Sequence, residues 1–363
     1  MKIAQVAPLY EAVPPKLYGG TERVVSYLTE ELVKQGHDVT LFASGDSVTN
    51  ARLVPGVKKA IRLNPDSVDP LALHIVQLQD VINRSKEFDI IHFHTDYLHF
   101  PFSQAMETPH VTTLHGRLDV PELQEIYNTF SNPVISISLD QQKPVPQANF
   151  VGKVYHGLPA ELFKAGNGSG EYLAFLGRIS PEKGPDKAIE IAKKAGIKLK
   201  IAAKVDKVDE KYFKTEIEHL LDHPLIEFIG EINEVQKQEF LCNAKALIFP
   251  INWSEPFGMV MIEAMACGTP VVAYGKGSVN EIIRNGENGY IVKDVDEAVQ
   301  VIQNITPAER SLVRSSFEQY YTAERMAKDY VDIYRNLCFQ RKTKTKSNLQ
   351  IQEAEDLRVR MLN

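Results

Sequence analysis

The sequence of 363 residues predicts an α/β protein of two domains, each built on a parallel sheet. Three observations carry that expectation. Short apolar runs of strand length alternate with amphipathic stretches of helical period along most of the chain. The unit strand–loop–helix–strand occurs near Lys2 and again near Tyr172, without an obvious sequence repeat. Between the two lies Ala165-Gly-Asn-Gly-Ser-Gly170, a stretch flexible by composition. The expected division is therefore a first domain over 1–157, a linker over 158–170 and a second domain over 171–319.

Taken in order, residues 2–7 form a strand stopped at Pro8, and a loop through Pro14-Pro15 and Gly19-Gly20 leads to a helix over 21–35. Val24, Val25, Leu28, Leu32 and Val33 give that helix one apolar face, and Gly36 ends it. Residues 38–43 form the next strand. Glycines before a helix N-terminus let a phosphate approach the backbone closely, although a plain turn explains Gly19-Gly20 equally well. The pair is not the Gly-x-Gly-x-x-Gly fingerprint of a dinucleotide-binding enzyme. Residues 88–94 and 109–116 read as buried strands; His92 and His94 share one face of the first, and His115 leaves the end of the second. No carboxylate or cysteine stands at ligand spacing, so no metal site is expected. Strands at 134–138 and 153–155 complete the first domain. In the second, a strand from 172, a helix at 185–195 and strands at 199–203 and 225–230 repeat the pattern. Residues 306–337 read as two amphipathic helices, and from Arg341 to Asn363 the chain is a polar tail.

Composition excludes several function classes. The balance of 44% hydrophobic and 24% charged residues, with net charge −6, argues against general nucleic-acid affinity. No apolar run approaches the roughly 18 residues that span a bilayer. Peripheral membrane contact through a local basic patch stays open. Cys242, Cys267 and Cys338 are odd in number and widely spaced, as free thiols of a reducing, cytoplasmic compartment would be.

The chemistry concentrates between Phe249 and Ala273. An apolar strand ends at Pro250, a polar loop follows, and a helix starts near Phe257-Gly258 and stops at Cys267-Gly268. Glu255 lies in the loop, where helix N–H groups favour anions. Glu263 is the one charge in an otherwise apolar helix and must find donors, which vicinal sugar hydroxyls would supply; an internal salt bridge is the plain alternative. The loop Gly177-Arg-Ile-Ser-Pro-Glu-Lys-Gly184 adds Arg178, able to clasp a phosphate through paired N–H bonds, and Lys183, a mobile point charge.

Ser254-Glu-Pro-Phe-Gly-Met, Glu263-Ala-Met-Ala and Gly268-Thr-Pro-Val-Val closely resemble the donor-site motif of retaining glycosyltransferases of family 4, whose fold is GT-B. The seven residues between Glu255 and Glu263 match the family spacing, and a weaker resemblance covers about residues 1–335. The resemblance implies two facing Rossmann-like domains, with the last helix, near 320–337, crossing back to the first. It implies a hexosyl or other glycosyl transfer from a UDP-, GDP- or ADP-linked sugar to a sugar, lipid or small-molecule acceptor, with retention and with no cofactor or metal. Donor contacts then fall to Gly19, Gly20, Arg178, Lys183, Glu255, Phe257, Gly258 and Glu263, and catalysis to His115, Glu255, Arg178 and Lys183. The segment Thr113-Leu-His-Gly116 matches the one whose histidine borders the transferred sugar. At Lys276-Gly277 the sequence departs from the usual Gly-Gly pair. A sugar-nucleotide epimerase and a non-catalytic nucleotide-sugar sensor are the competing expectations.

Overall fold

The fold follows from a computed structural model that describes residues 1–16, 19–64 and 67–362, with side chains described through 343 apart from 342. Two wholly parallel sheets form. The first contains β1 (Lys2–Val6), β2 (Asp38–Ser44), β3 (Arg52–Val57), β4 (Ile90–Phe93), β5 (His110–Thr113), β6 (Val134–Ser136) and β7 (Phe150–Lys153), in the order β3-β2-β1-β4-β5-β6-β7. The second contains β8 (Tyr172–Arg178), β9 (Lys198–Lys204), β10 (Ile226–Gly230), β11 (Ala246–Phe249), β12 (Val271–Tyr274) and β13 (Gly289–Val292), in the order β10-β9-β8-β11-β12-β13. Strand order reverses beside β1 in one sheet and beside β8 in the other. Ligands of open α/β sheets gather at such switch points, beyond the carboxyl ends of the strands.

Helices cover the sheets: α1 (Gly20–Lys34), α2 (Pro70–Asn83), α3 (Phe100–Ser103) and α4 (Pro121–Thr129) on the first. On the second lie α5 (Pro185–Ala195), α6 (Glu210–Tyr212), α7 (Glu234–Asn243), α8 (Met259–Ala266), α9 (Val279–Ile282), α10 (Val295–Asn304) and α11 (Glu309–Tyr320), and α12 (Ala323–Leu362) ends the chain. Local sequence sets their limits. The Asp69 side chain accepts from the N–H groups of Leu71 and Ala72 to cap α2, and Asn233 with Gln236 forms a reciprocal capping box on α7. Gly258 (φ 78°) and Gly268 (φ 69°) bracket α8 in the left-handed region that glycine enters without penalty.

Several expectations shift. The strand expected at 153–155 is β7, three residues earlier in its start, and β3 and α2 occupy a stretch for which no elements were foreseen. The glycine-rich stretch expected to be flexible is tied down: the N–H groups of Gly166, Gly168 and Gly170 donate to the carbonyls of Cys267, Cys242 and Asn243. The polar tail continues α12 as helix to Leu362; the basic side chains of Lys342, Lys344 and Lys346 lie outside the described residues.

The crossing back is tightly built. Leu158 and Thr322 bridge in parallel, with Leu158 N–H donating to Tyr321 O at 2.9 Å and Ala323 N–H to Leu158 O at 2.8 Å. A Cβ on Gly157 would lie 2.2 Å from Thr322 O, so the two strands of chain approach this closely only through glycine. From there α12 packs on α1 and fully buries Tyr330 and Tyr334 against the first domain. No helix among the described residues is long and apolar enough to cross a membrane.

Candidate active site

The second domain contributes the loops after β8, β11 and β12. Arg178 is the last residue of β8, and Lys183 sits in the turn before α5. A Cβ on Gly184 (φ 65°) would lie 2.3 Å from Pro250 O, so glycine lets this turn close onto the loop after β11. The contact brings Lys183 to Glu255. Its Nζ pairs with Glu255 Oε2, which also accepts from Trp253 Nε1 at 3.0 Å, and Glu255 is only 8% exposed. The Lys183 ammonium also lies 5.1 Å from the Trp253 ring centre, within cation–π range. Gly277 (φ 58°) presses against the same loop, since its Cβ would lie 2.3 Å from Glu255 N. The Lys-Gly departure at 276–277 thus keeps glycine where the backbone needs it.

Arg178 is surrounded by carboxylates: it pairs with Glu182, and Asp206 and Asp209 lie 3.6 and 3.9 Å away. Burial pushes the Asp209 carboxyl up, while the Lys204 ammonium holds that of Asp206 down against burial. Glu263, on α8, is 5% exposed and receives Lys237 Nζ of α7 at 2.7 Å on Oε1. The internal salt bridge, the plain alternative for Glu263, is therefore realised.

Gly19 is packed, since a Cβ there would lie 2.7 Å from Pro15 Cβ, whereas nothing stands within 4 Å of a Cβ on Gly20. One turn further along α1, Arg23 pairs across the cleft with Glu234 of α7, which also accepts from Tyr27 Oη at 3.0 Å. Burial disfavours the Arg23 charge, but Glu234 and, farther off, Glu263 outweigh it and hold the guanidinium above its usual range. A second clasp is Glu281 of α9, whose carboxylate accepts from the N–H groups of Leu139 and Asp140, both at 2.8 Å, and from Tyr155 Oη at 2.9 Å.

His115 follows β5 and lies opposite the Glu255 loop. Its ring stacks on His156 (5.3 Å, 17°), and His156 meets Phe257 edge-on at 4.8 Å, directly before Gly258. Arg117 reaches over the same boundary to within 5.9 Å of the Trp253 ring. Burial lowers the His115 pKa to about 3, so the ring is neutral at physiological pH. Inward, His115 Nε2 lies 2.8 Å from His94 Nδ1, and His94 Nε2 lies 2.7 Å from Gln5 Oε1.

The structure thus gathers Lys183, Glu255, Phe257, Gly258 and His115 at one mouth, while Arg178 sits among Glu182, Asp206 and Asp209, Gly19 and Gly20 lead into α1, and Glu263 pairs with Lys237 between α7 and α8. Sequence reasoning missed Lys237, Glu234, Arg23, Tyr27, Glu281 and Gln5, and gave His94 no partner. Each owes its position to pairing across long sequence separations, and only the i, i+2 spacing of His92 and His94 hinted at a shared face. Among the described residues, no group of three or more His, Cys, Asp or Glu side chains is arranged to hold a metal ion.

Comparison with known proteins decides the family. The profile of glycosyl transferases group 1 matches residues 161–311, and that of glycosyltransferase family 4 matches residues 18–141. The chain belongs to the glycosyltransferases. This glycosyltransferase and the D-inositol 3-phosphate glycosyltransferase of Acidothermus cellulolyticus are 26% identical over 77% of this chain and 76% of the relative. A phosphatidyl-myo-inositol mannosyltransferase of Mycolicibacterium smegmatis is 25% identical over 82% of each chain. The fold is shared with a glycosyltransferase involved in avilamycin A biosynthesis, at TM-score 0.72 and 22% identity over 93% of this chain and 98% of that one. It is shared also with HepE of Anabaena, solved with UDP and glucose, at TM-score 0.69 and 18% identity over 93% and 100% of the two chains. The glycosyltransferase accordingly has the GT-B architecture expected from its sequence.

Proposed function

We propose that this glycosyltransferase moves a sugar from a nucleotide-sugar donor to an acceptor bound by the first domain, with retention at the anomeric carbon and without a metal ion. The observation that carries the reading is the Lys183–Glu255–Trp253 cluster, set across the domain boundary from the stacked His115–His156 pair, which Phe257 meets edge-on. One side offers charge for a leaving diphosphate, the other a neutral polar ring for a sugar. HepE binds UDP, glucose and UDP-glucose on the same fold, which supports a nucleoside diphosphate sugar as donor. Cys242 and Cys267 are free thiols, which suits a reducing compartment, and we place the reaction in the cytoplasm.

The demanding event is departure of the diphosphate, whose charge grows in the transition state. Lys183 is poised to follow that charge if it exchanges Glu255 for phosphate oxygens, and Arg178 does the same by leaving Glu182. Glu255, released from Lys183, accepts from sugar hydroxyls. Glu263 keeps one oxygen on Lys237 and offers the other to the ribose. His115, neutral at physiological pH, orients a sugar hydroxyl and does not serve as a proton donor of the imidazolium kind. The open Gly20 N-terminus of α1 faces the phosphates.

A thermal-shift screen of UDP-, GDP- and ADP-linked sugars tests the reading. The cognate donor must raise the melting temperature, by the linkage between binding and folding, and Lys183→Ala must shrink that rise. Absence of any shift across the three nucleotide classes, at concentrations that saturate ordinary donors, refutes it.

A further inference from the structure

A hydrogen-bonded file of side chains runs inward from the cleft through the first domain to α12. It begins at the cleft with His115 and runs through His94, Gln5, Tyr334, His92 and Thr113 to Tyr330. The contacts are His115 Nε2 to His94 Nδ1 (2.8 Å), His94 Nε2 to Gln5 Oε1 (2.7 Å) and Gln5 Nε2 to Tyr334 Oη (3.2 Å). They continue as Tyr334 Oη to His92 Nδ1 (2.7 Å), His92 Nε2 to Thr113 Oγ1 (2.7 Å) and Thr113 Oγ1 to Tyr330 Oη (3.0 Å). Gln5, His92, Thr113, Tyr330 and Tyr334 are fully buried and His94 is 1% exposed, so no bulk water breaks the file.

In such a file each bond fixes the next. A neutral imidazole donates from one nitrogen and accepts at the other. Gln5 presents its carbonyl oxygen to His94, so His94 must carry its proton on Nε2 and accept at Nδ1. His115 must then donate from Nε2, and its Nδ1 is left bare. On the other side the Gln5 amide donates to Tyr334, which donates to His92 Nδ1, and His92 donates from Nε2 to Thr113. Rotating the Gln5 amide by half a turn would reverse every bond, so the orientation of one amide and the tautomers of three histidines are a single variable. His115 Nδ1 makes no hydrogen bond to a described residue, and it is the nitrogen left for a ligand.

We propose that Gln5 and Tyr334 are positioning residues that hold His115 as the Nε2–H tautomer, so that its Nδ1 accepts a hydroxyl of the transferred sugar. The proposal rests on the donor-site reading above for the identity of that hydroxyl, but not for the tautomer. Tyr334 and Tyr330 belong to α12, the helix that crosses back from the second domain. The sugar-facing edge of the first domain is therefore completed by the end of the chain. A displaced α12 would free the Gln5 amide and let His115 sample both tautomers, turning an acceptor into a donor for part of the time.

Two-bond proton–nitrogen NMR correlation on protein labelled at the histidine ring nitrogens reads the tautomers without any substrate. Loss of a signal in His115→Gln, His94→Gln and His92→Gln assigns the three rings. The expected result at about pH 7.5 is one neutral tautomer, protonated on Nε2, at all three. In Tyr334→Phe, which removes only an oxygen, and in Gln5→Leu, His115 should give intermediate shifts from a mixture. An Nδ1–H tautomer at His115 in the wild type overturns the proposal, and so does an unchanged single Nε2–H tautomer in folded Tyr334→Phe. Should Gln5→Leu fail to fold, the wild-type and Tyr334→Phe spectra still decide. A protein that passes this test and binds no nucleotide-sugar would refute the donor reading alone; one that binds donor but shows mixed tautomers would refute the file alone.

Discussion

The buried imidazoles make a quantitative prediction about acid. His92, His94, His99 and His156 are 0%, 1%, 0% and 3% exposed, and burial holds each pKa well below the usual histidine value. The sign follows from proton counting. Above about pH 6.5 these histidines are neutral in both folded and unfolded chains and contribute nothing to pH dependence. Below it the unfolded chain takes up protons that the folded one refuses, so stability falls as pH falls. Each group then loses about 1.4 kcal/mol per pH unit, and the four together lose on the order of 5 kcal/mol by about pH 5.5. That is comparable with the whole stability of an ordinary domain, about 5–15 kcal/mol. Glu22 works the other way: burial raises its carboxyl pKa, so the folded chain gains a proton first and recovers part of the loss. The hydrogen-bonded file sharpens the penalty, because a protonated His92 or His94 donates from both nitrogens, and its Nδ1 then meets a group already donating to it.

Urea unfolding followed by Trp253 fluorescence at about pH 7.5, 6.5 and 5.5 measures it. The free energy should change little over the first step and collapse over the second. His99→Asn, which removes one titrating ring outside the file, should flatten the acid limb by about one proton's slope. A fall of less than about 2 kcal/mol between pH 7.5 and 5.5 would show that the interior accommodates imidazolium, and the argument from burial would fail.

Glu263→Ala strands Lys237 beside an apolar helix and should cost about 3–5 kcal/mol of stability in urea unfolding. The pair Glu263→Gln with Lys237→Met should restore most of that stability while leaving donor affinity low by calorimetry; full recovery of affinity would make Glu263 purely structural. Turnover of the identified donor should persist in EDTA, because the proposed leaving-group stabilisers are Arg178 and Lys183; loss in chelator restored by a divalent ion would defeat that assignment.

Much of the fold was legible because punctuation and period agreed. Around α8, Pro250, Gly258 and Gly268 mark strand end, helix start and helix stop, and the apolar run between them leaves Glu263 conspicuous. By contrast β3 escaped notice because its sequence, Arg52-Leu-Val-Pro-Gly-Val57, carries a proline and a glycine that argue against a strand. Its place at the sheet edge, beyond β2, is what makes Pro55 tolerable. The candidate residues of the site were legible as types, a cation here and a carboxylate there. Their partners were not. Nothing local in Glu234-Val-Gln-Lys237 says that Glu234 will meet Arg23 or that Lys237 will meet Glu263. Gln5 looks like an unremarkable polar break in a strand until β1 lies beside β4 and α12 covers both.

Those partners bear on how the cleft treats charge. Lys183 holds Glu255, Lys237 holds Glu263, and Arg178 holds Glu182, so each of these cations already has a carboxylate partner. On the function proposed above, a donor phosphate competes with Glu255 for Lys183, and the donor sugar recruits Glu255 once it is released. On that reading Glu255 opposes the nucleotide part of the donor and favours the sugar part. Replacing it with glutamine removes the competing charge and weakens the acceptor for sugar hydroxyls. Glu255→Gln should thus bind a bare nucleoside diphosphate more tightly, by about 1 kcal/mol if one partly buried charge-assisted contact is at stake, and should bind the matching nucleotide-sugar no better or worse. The gap between the two ligands, measured by calorimetry for wild type and variant, is the discriminating quantity, because a general loosening of the loop would weaken both alike. If Glu255→Gln lowers both affinities by the same factor, Glu255 merely holds Lys183 in place, and the sugar contact must belong to another residue.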